Sequence, residues 1–190
     1  MIFNDHSKLE GLHAPFSPSQ PSWLRYDENK ALDVYSNLKA KEIGTRLHKW
    51  AQETIDLGIR QPRSKKTICA YVNDAIGFKM STEVVLFYSP RFFGTADAIS
   101  FRKSSSGRYI LRIHDLKTGK IKAHIEQLQI YAALFCLEYK VKPEEIDIEL
   151  RIYQNDGVLY DNPLPELITQ IMKQIVNLDI MLEKIDKEEV

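Results

Sequence analysis

Apolar positions along the chain change period several times, and each change predicts an element. From Ala31 to Leu57 the pattern is helical, with Ile43, Leu47, Trp50 and Thr54 one turn apart and Gly58 as the stop. TEVVLFYS (82–89), FFGTADAISFR (92–102) and RYILRIHDLK (108–117) are three strands, with SSSG as the turn before the third. A helix is expected from Ile121 to Lys140, burying Ile125, Leu128, Ala132, Phe135 and Tyr139. IDIELRIYQ (146–154) is a fourth strand with Ile146, Ile148, Leu150 and Ile152 on one face, and Asn155-Asp156-Gly157 is a turn. A last helix over 164–187 has Pro165 in its first turn and a seam of Leu167, Ile171, Ile175, Leu178, Leu182 and Ile185. That seam is expected to pack on the body or on another copy of the chain.

Residues 67–80 read as a short helix or an irregular segment. Residues 1–30 read as an irregular arm, in which SPSQPSWLRY (17–26) starts a short helix with Ser19 as N-cap and Pro21 in the first turn. The order of helix, three-strand meander, helix, strand, helix predicts one α/β domain over 1–190, with a mixed central sheet of about four strands flanked by helices.

At 190 residues the chain can bury a sizeable core. With 26 basic and 26 acidic residues its formal charge is zero, so any basic surface is local. Two cysteines, Cys69 and Cys136, make no disulfide framework and no zinc or iron–sulfur set. The opening MIFNDHSKLEG lacks a basic region followed by an apolar run, so no signal peptide is expected. No apolar stretch approaches membrane-spanning length. The expectation is a cytoplasmic protein that does not enter a membrane.

Candidate chemistry starts at IHDLKTGK (113–120), where an apolar strand ends on an acid and a base. Side-chain alternation puts Asp115 and Lys117 on one face and turns Leu116 back into the core. A simple ion pair at a strand end is the plain reading. GTAD, however, places Asp97 in the neighbouring strand amid Phe92, Phe93, Ala96, Ala98 and Ile99. Two carboxylates held close repel each other, and a hard dication such as Mg²⁺ or Mn²⁺ relieves that conflict. Gly94 allows a close approach or a strand bend. His48 lies on the first long helix, one turn after Gly44. Glu83 opens the first strand, and Gln127 and Tyr131 lie one turn apart on the helix after DLK. RQPRSKK supplies Arg60, Arg63, Lys65 and Lys66, while Arg46 and Lys49 flank His48; these cations are candidate phosphate contacts.

GTRLH, Glu83, GTAD, DLK and QLQIY, in that order, resemble the motifs of the RecB-like branch of the PD-(D/E)XK nuclease superfamily, over about Ser17 to Arg151. The resemblance implies a restriction-endonuclease-like core. It implies His48, Asp97 and Asp115 as metal ligands, joined by the Leu116 backbone carbonyl, and Lys117 as the catalytic lysine. It places Gln127 and Tyr131 beside the site and the DNA, and Glu83 at an acidic position of the first core strand. The CRISPR-associated relatives hold an iron–sulfur cluster on four cysteines, which this chain lacks. The implied activity is an Mg²⁺- or Mn²⁺-dependent deoxyribonuclease, an exonuclease of DNA recombination, repair or phage replication in a bacterial cell or phage-infected host. A strand-annealing recombination protein is the implied partner. Three rivals remain: a catalytically inactive nucleic-acid-binding or assembly factor on the same fold, a sequence-specific endonuclease, and a structural protein in which Asp115 and Lys117 merely pair.

Overall fold

The computed structural model describes residues 4–119, 122–155 and 157–188. The chain divides into two compact units, Met1–Thr45 and Arg46–Val190.

In the first unit, short 3₁₀ turns at Ser7–Leu9 and Pro21–Arg25 precede α1, Glu28–Asp56, within which the boundary falls. Ser19 does not cap the Pro21 turn. Gln20 holds that position, and the Ser19 hydroxyl lies 2.8 Å from Ser17 Oγ. Trp23 fixes the arm by donating its indole N–H to the Ser17 carbonyl over 3.0 Å and packing edge-on against Phe16. α1 begins before its apolar pattern does because Asp27 Oδ1 accepts the Lys30 N–H at 2.7 Å, an N-terminal cap.

In the second unit α1 is stopped just beyond Asp56 by Gly58, whose φ of 67° lets its N–H and that of Ile59 turn back to the Ile55 and Thr54 carbonyls. The expected stripe is displaced: Leu47 and Trp50 are exposed, and Ala51, Thr54 and Ile55 are buried. His48 shares that inward side, one turn before Ala51. The ambiguous segment after the basic loop forms a helix, α2, Thr67–Gly77, burying Tyr71, Val72 and Ala75.

The sheet has five strands rather than four: β1 Ser81–Ser89, β2 Phe92–Lys103, β3 Tyr109–Lys117, β4 Ile146–Gln154 and β5 Gly157–Asp161, side by side in that order. β1, β2 and β3 pair antiparallel, β3 and β4 parallel, and β4 and β5 antiparallel. A parallel pair needs a long crossover, and α3, Glu126–Tyr139, supplies it. Of the turn before β5, Asn155 takes a left-handed φ of 54°, while Asp156 lies outside the described residues. Ile121, the expected start of α3, also lies outside them, and the helix begins at Glu126. Tyr139 is 54 % exposed because the helix ends there, with Lys140 turning left-handed.

α4, Pro165–Glu188, keeps part of the expected seam: Ile175 is buried and Ile171 packs against the core, but Ile168 replaces Leu167, and Leu167, Leu178 and Ile185 are exposed. Its far half is held by charge, with Arg91 at 2.9 Å from Asp179 and 2.6 Å from Asp186. Among the described residues no helix is long and apolar enough to cross a membrane.

Two cores sandwich the sheet. Leu86, Ile99, Leu111 and Ile113 pack with α3 and α4; Ala98, Leu116 and Tyr153 pack with α1 and α2. Side-chain alternation inverts between Thr82 and Val84 on β1 and between Ala96 and Ala98 on β2. On β1, Thr82 donates to Asp56 of α1, yet Val84 packs on the α3 side. On β2, Ala98 packs on the α1–α2 side, yet Ala96 packs on the α3 side. The register Thr82↔Ala98 and Val84↔Ala96 sets Glu83 opposite Asp97 at the inversion, and Glu83 takes a left-handed φ of 50°.

Candidate active site

The paired part of β2 and β3 ends at Ala98↔His114, just short of Asp97 and Asp115. Leu116 turns its side chain into the α1–α2 core and donates its backbone N–H to Asp97 Oδ2 over 3.0 Å. Asp115 is 2 % exposed. Its Oδ1 lies 3.1 Å from Lys117 Nζ, while Oδ2 is buried and accepts no hydrogen bond. Burial, and next the Asp97 charge, push the Asp115 carboxyl up to about 6 against the pull of Lys117 and His48. Keeping this carboxylate charged is therefore costly, and Lys117 and His48 together do not offset burial and the Asp97 charge.

Lys117 sits between two elements. Its ammonium donates to Asp115 and, over 2.9 Å, to Gln127 Oε1 on α3. Gln127 Nε2 donates to the Tyr131 hydroxyl at 3.3 Å. Tyr131 lies against Gly94 of β2, where a Cβ would come within 2.8 Å of the ring. Gly94, Tyr131, Gln127, Lys117 and Asp115 thus form one connected row from β2 through α3 to β3.

His48 Nδ1 lies 3.3 Å from Asp97 Oδ2. The Asp97 carboxylate beside it holds the imidazole above its ordinary pKa, with Asp115 and Glu83 adding to the effect against partial burial. Glu83 is also raised, by partial burial and then by Asp97. Tyr71 of α2 completes the surroundings: burial, and the charges of Asp97, Asp115 and Glu83, push its phenol up. As the side chains stand, no three His, Cys, Asp or Glu among the described residues form a ready metal-binding group. Asp97 is engaged by His48 and the Leu116 N–H, and Asp115 by Lys117.

The basic residues divide. Arg46 and Lys49 are exposed on α1, with Lys49 3.9 Å from Glu53. Reciprocal bonds between Asn73 and the Gln61 backbone, 2.8 and 2.9 Å, tie the basic loop to α2. Arg60 and Arg63 thereby line a hollow of about 560 Å³ with Asp74, Gly77 and Phe78, and none of His48, Asp97, Asp115 or Lys117 lines it. Lys65 and Lys66 are exposed just before α2, whose Thr67 bonds the Asn155 carbonyl. Asn155 follows Gln154, the residue paired with Lys117, so these two lysines stand at the Lys117 end of the sheet.

Sequence reasoning missed Gln154, Tyr71 and a charged layer behind Asp115. Gln154 holds the segment joining Lys117 to α3, accepting from Ala123 N–H at 2.9 Å and donating to the Gly119 carbonyl at 2.8 Å. In the layer, Arg151 lies 2.9 Å from Asp74 and 2.8 Å from Glu149, and Arg112 lies 3.3 Å from Glu149. Both guanidiniums stack on Phe78, at 4.4 and 4.9 Å from its centroid. Tyr153 donates to Asp74 at 2.6 Å. His114, Arg151 and Arg112 hold the Glu149 carboxyl down at about 2. The His114 ring is fully buried, and burial lowers its pKa. Its Nε2 is 3.8 Å from Glu149, beyond hydrogen-bond reach, so the two guanidiniums dominate. Alternation with the apolar face of β4 was the only signal for this layer, and it reads equally well as a solvated face.

Neither a scan of family models nor a search of curated proteins finds a match to this chain.

Proposed function

We propose that the chain is a divalent-metal-dependent deoxyribonuclease that hydrolyses DNA phosphodiester bonds from strand ends and works in the cytoplasm. The observation that carries this reading is the buried Asp115 carboxylate, with an unpartnered oxygen and a raised pKa, held between Asp97 and Lys117. Glu149 also buries an oxygen without a hydrogen-bond partner, but guanidiniums hold its carboxyl down; Asp115 is instead pushed up by burial beside a second carboxylate, the conflict that a dication relieves.

The donor set fits a hard dication such as Mg²⁺ or Mn²⁺: oxygens of Asp97 and Asp115 with the His48 imidazole, and the Leu116 carbonyl that the family resemblance adds. When bound, such an ion lowers the pKa of a coordinated water and offsets charge on the scissile phosphate. The side chains do the rest. Lys117, steadied by Gln127, presents its ammonium where negative charge develops on the phosphate or its attacking water. Tyr131 and Gly94 fix Gln127, so the lysine is positioned before substrate arrives. Lys65 and Lys66 lie where they can contact phosphates, giving salt-sensitive binding.

The test is incubation of linear and circular DNA with Mg²⁺ or Mn²⁺, with Asp115→Ala and Lys117→Ala as controls. Loss of linear DNA only, abolished by either substitution, is expected. No cleavage of any DNA form by the wild type overturns the proposal in favour of a binding or assembly role, and cleavage of circles overturns the exonuclease assignment.

A further inference from the structure

From the inversion at Glu83 and Asp97 towards the β1–β2 turn, three cross-strand rows follow one another: Glu83 with Asp97, Val85↔Thr95 and Phe87↔Phe93. Glu83, Val85, Phe87, Thr95 and Phe93 are all exposed. Their neighbours Leu86 and Ala96 are buried in the α3-side core, so these rows occupy the opposite, uncovered face. Phe93 is 62 % exposed and Phe87 47 %, with ring centroids 6.4 Å apart and planes inclined by 35°. Paired across two strands on one face, the rings form a contiguous apolar patch rather than scattered single residues.

We infer that Phe87 and Phe93 form a stacking platform for unpaired nucleobases of the strand whose phosphate lies at Asp97 and Asp115. The inference rests on the nuclease reading and deepens it, because it makes a single-stranded segment the substrate that the site grips. Continuity with the carboxylates carries it. β2 rises about 3.4 Å per residue, so Phe93, four residues away, stands roughly 14 Å from Asp97 along the strand, a span of a few nucleotides. The order of the rows suits a strand laid along it. The acids at one end face phosphate chemistry, the small Val85 and Thr95 leave room in the middle, and the rings at the far end offer π-faces, which every base can stack on without sequence preference. A protein partner would need a broader apolar surface. Here polar Thr95 and charged Glu83 interrupt it within two rows.

The experiment measures binding of a fluorescent oligothymidylate, and of the same oligomer with abasic sites, to the full chain in EDTA. The wild type is expected to bind the base-bearing strand more tightly than the abasic one. Phe93→Ala and Phe87→Ala should erase that difference, each weakening the base-bearing complex roughly tenfold or more while leaving the abasic complex unchanged. Phe93→Tyr should keep it. Equal affinity of wild type and both alanine variants for the base-bearing strand overturns the inference, as does failure of the wild type to bind either strand. So does a change in sedimentation alone, which would make the face a contact between protein copies. Because EDTA removes catalysis, the two readings separate. A chain that cleaves DNA without ring-dependent base preference keeps the nuclease reading and loses the platform; one that shows the preference without cleaving does the reverse.

Discussion

The ring of Tyr131 lies so close over Gly94 that a Cβ there would stand 2.8 Å from its Cε1 and 3.4 Å from its hydroxyl oxygen. The glycine admits a tyrosine of the protein itself. It is needed for space rather than for backbone freedom, since its φ is not in the left-handed region. Gly94→Ala is expected to shift the ring, and through Gln127 the lysine, lowering turnover roughly tenfold to a hundredfold. Nuclease rates and melting curves measured side by side check this. Unchanged turnover would mean that the ring does not position Lys117.

Lys117→Ala should cost about two to three orders of magnitude in rate with the fold retained, the usual loss on removing a preorganised charge from a transition state. Gln127→Ala should cost less, because Asp115 still holds the ammonium. Single-turnover kinetics at saturating Mn²⁺ separate these losses from weakened binding.

For Asp115 the folded carboxyl titrates near 6 instead of its usual 3.8. Between those values the native state binds more protons than the unfolded chain, so wild-type stability falls as pH rises through the window. Asp115→Asn removes the penalty. In EDTA it should stabilise the protein at pH 8 by about 3 kcal/mol, and the gain should vanish as pH falls below 3.8. Added Mn²⁺ should raise the wild-type melting temperature and leave the variant unmoved. A metal response in the variant equal to that of the wild type would remove Asp115 from the ligand set.

Glu149 runs in the opposite sense. Its carboxyl is held at about 2 against an ordinary 4.5, so its contribution is complete above 4.5 and disappears as pH falls through 2. Glu149→Gln leaves Arg112 and Arg151 without their shared carboxylate and should destabilise by about 3 kcal/mol at pH 7. Urea titrations of both proteins should converge near pH 2. A constant gap would show that Glu149 acts by packing rather than by charge.

Asp115, Leu116 and Lys117 were legible because a period of two, applied to a short strand, predicts that the acid and base share a face and the leucine turns away; the structure has them so. The β2–β3 hairpin and the crossover helix were legible from SSSG and from helical spacing. α2 was not, because TICAYVNDAIG is apolar on several sides and shows no clean period. β5 has five residues at a sheet edge, too few to display alternation. In β4, Glu149 and Arg151 alternate with isoleucine as surface charges would, and only α2 and Phe78 make them partly buried. The inversion at Glu83 was invisible for a related reason: Val84, Val85, Leu86 and Phe87 form an unbroken apolar run, in which either parity looks the same.

That inversion couples two things that would otherwise vary separately. Leu86 fills the interior and Phe87 meets solvent only because the backbone pivots at Glu83. Deleting Val84 or Val85 would swap their roles, turning leucine outwards and phenylalanine inwards and spoiling packing and platform together. A change of length at the β1–β2 turn, by contrast, would leave the pivot alone and act instead on Arg91 and its grip on α4.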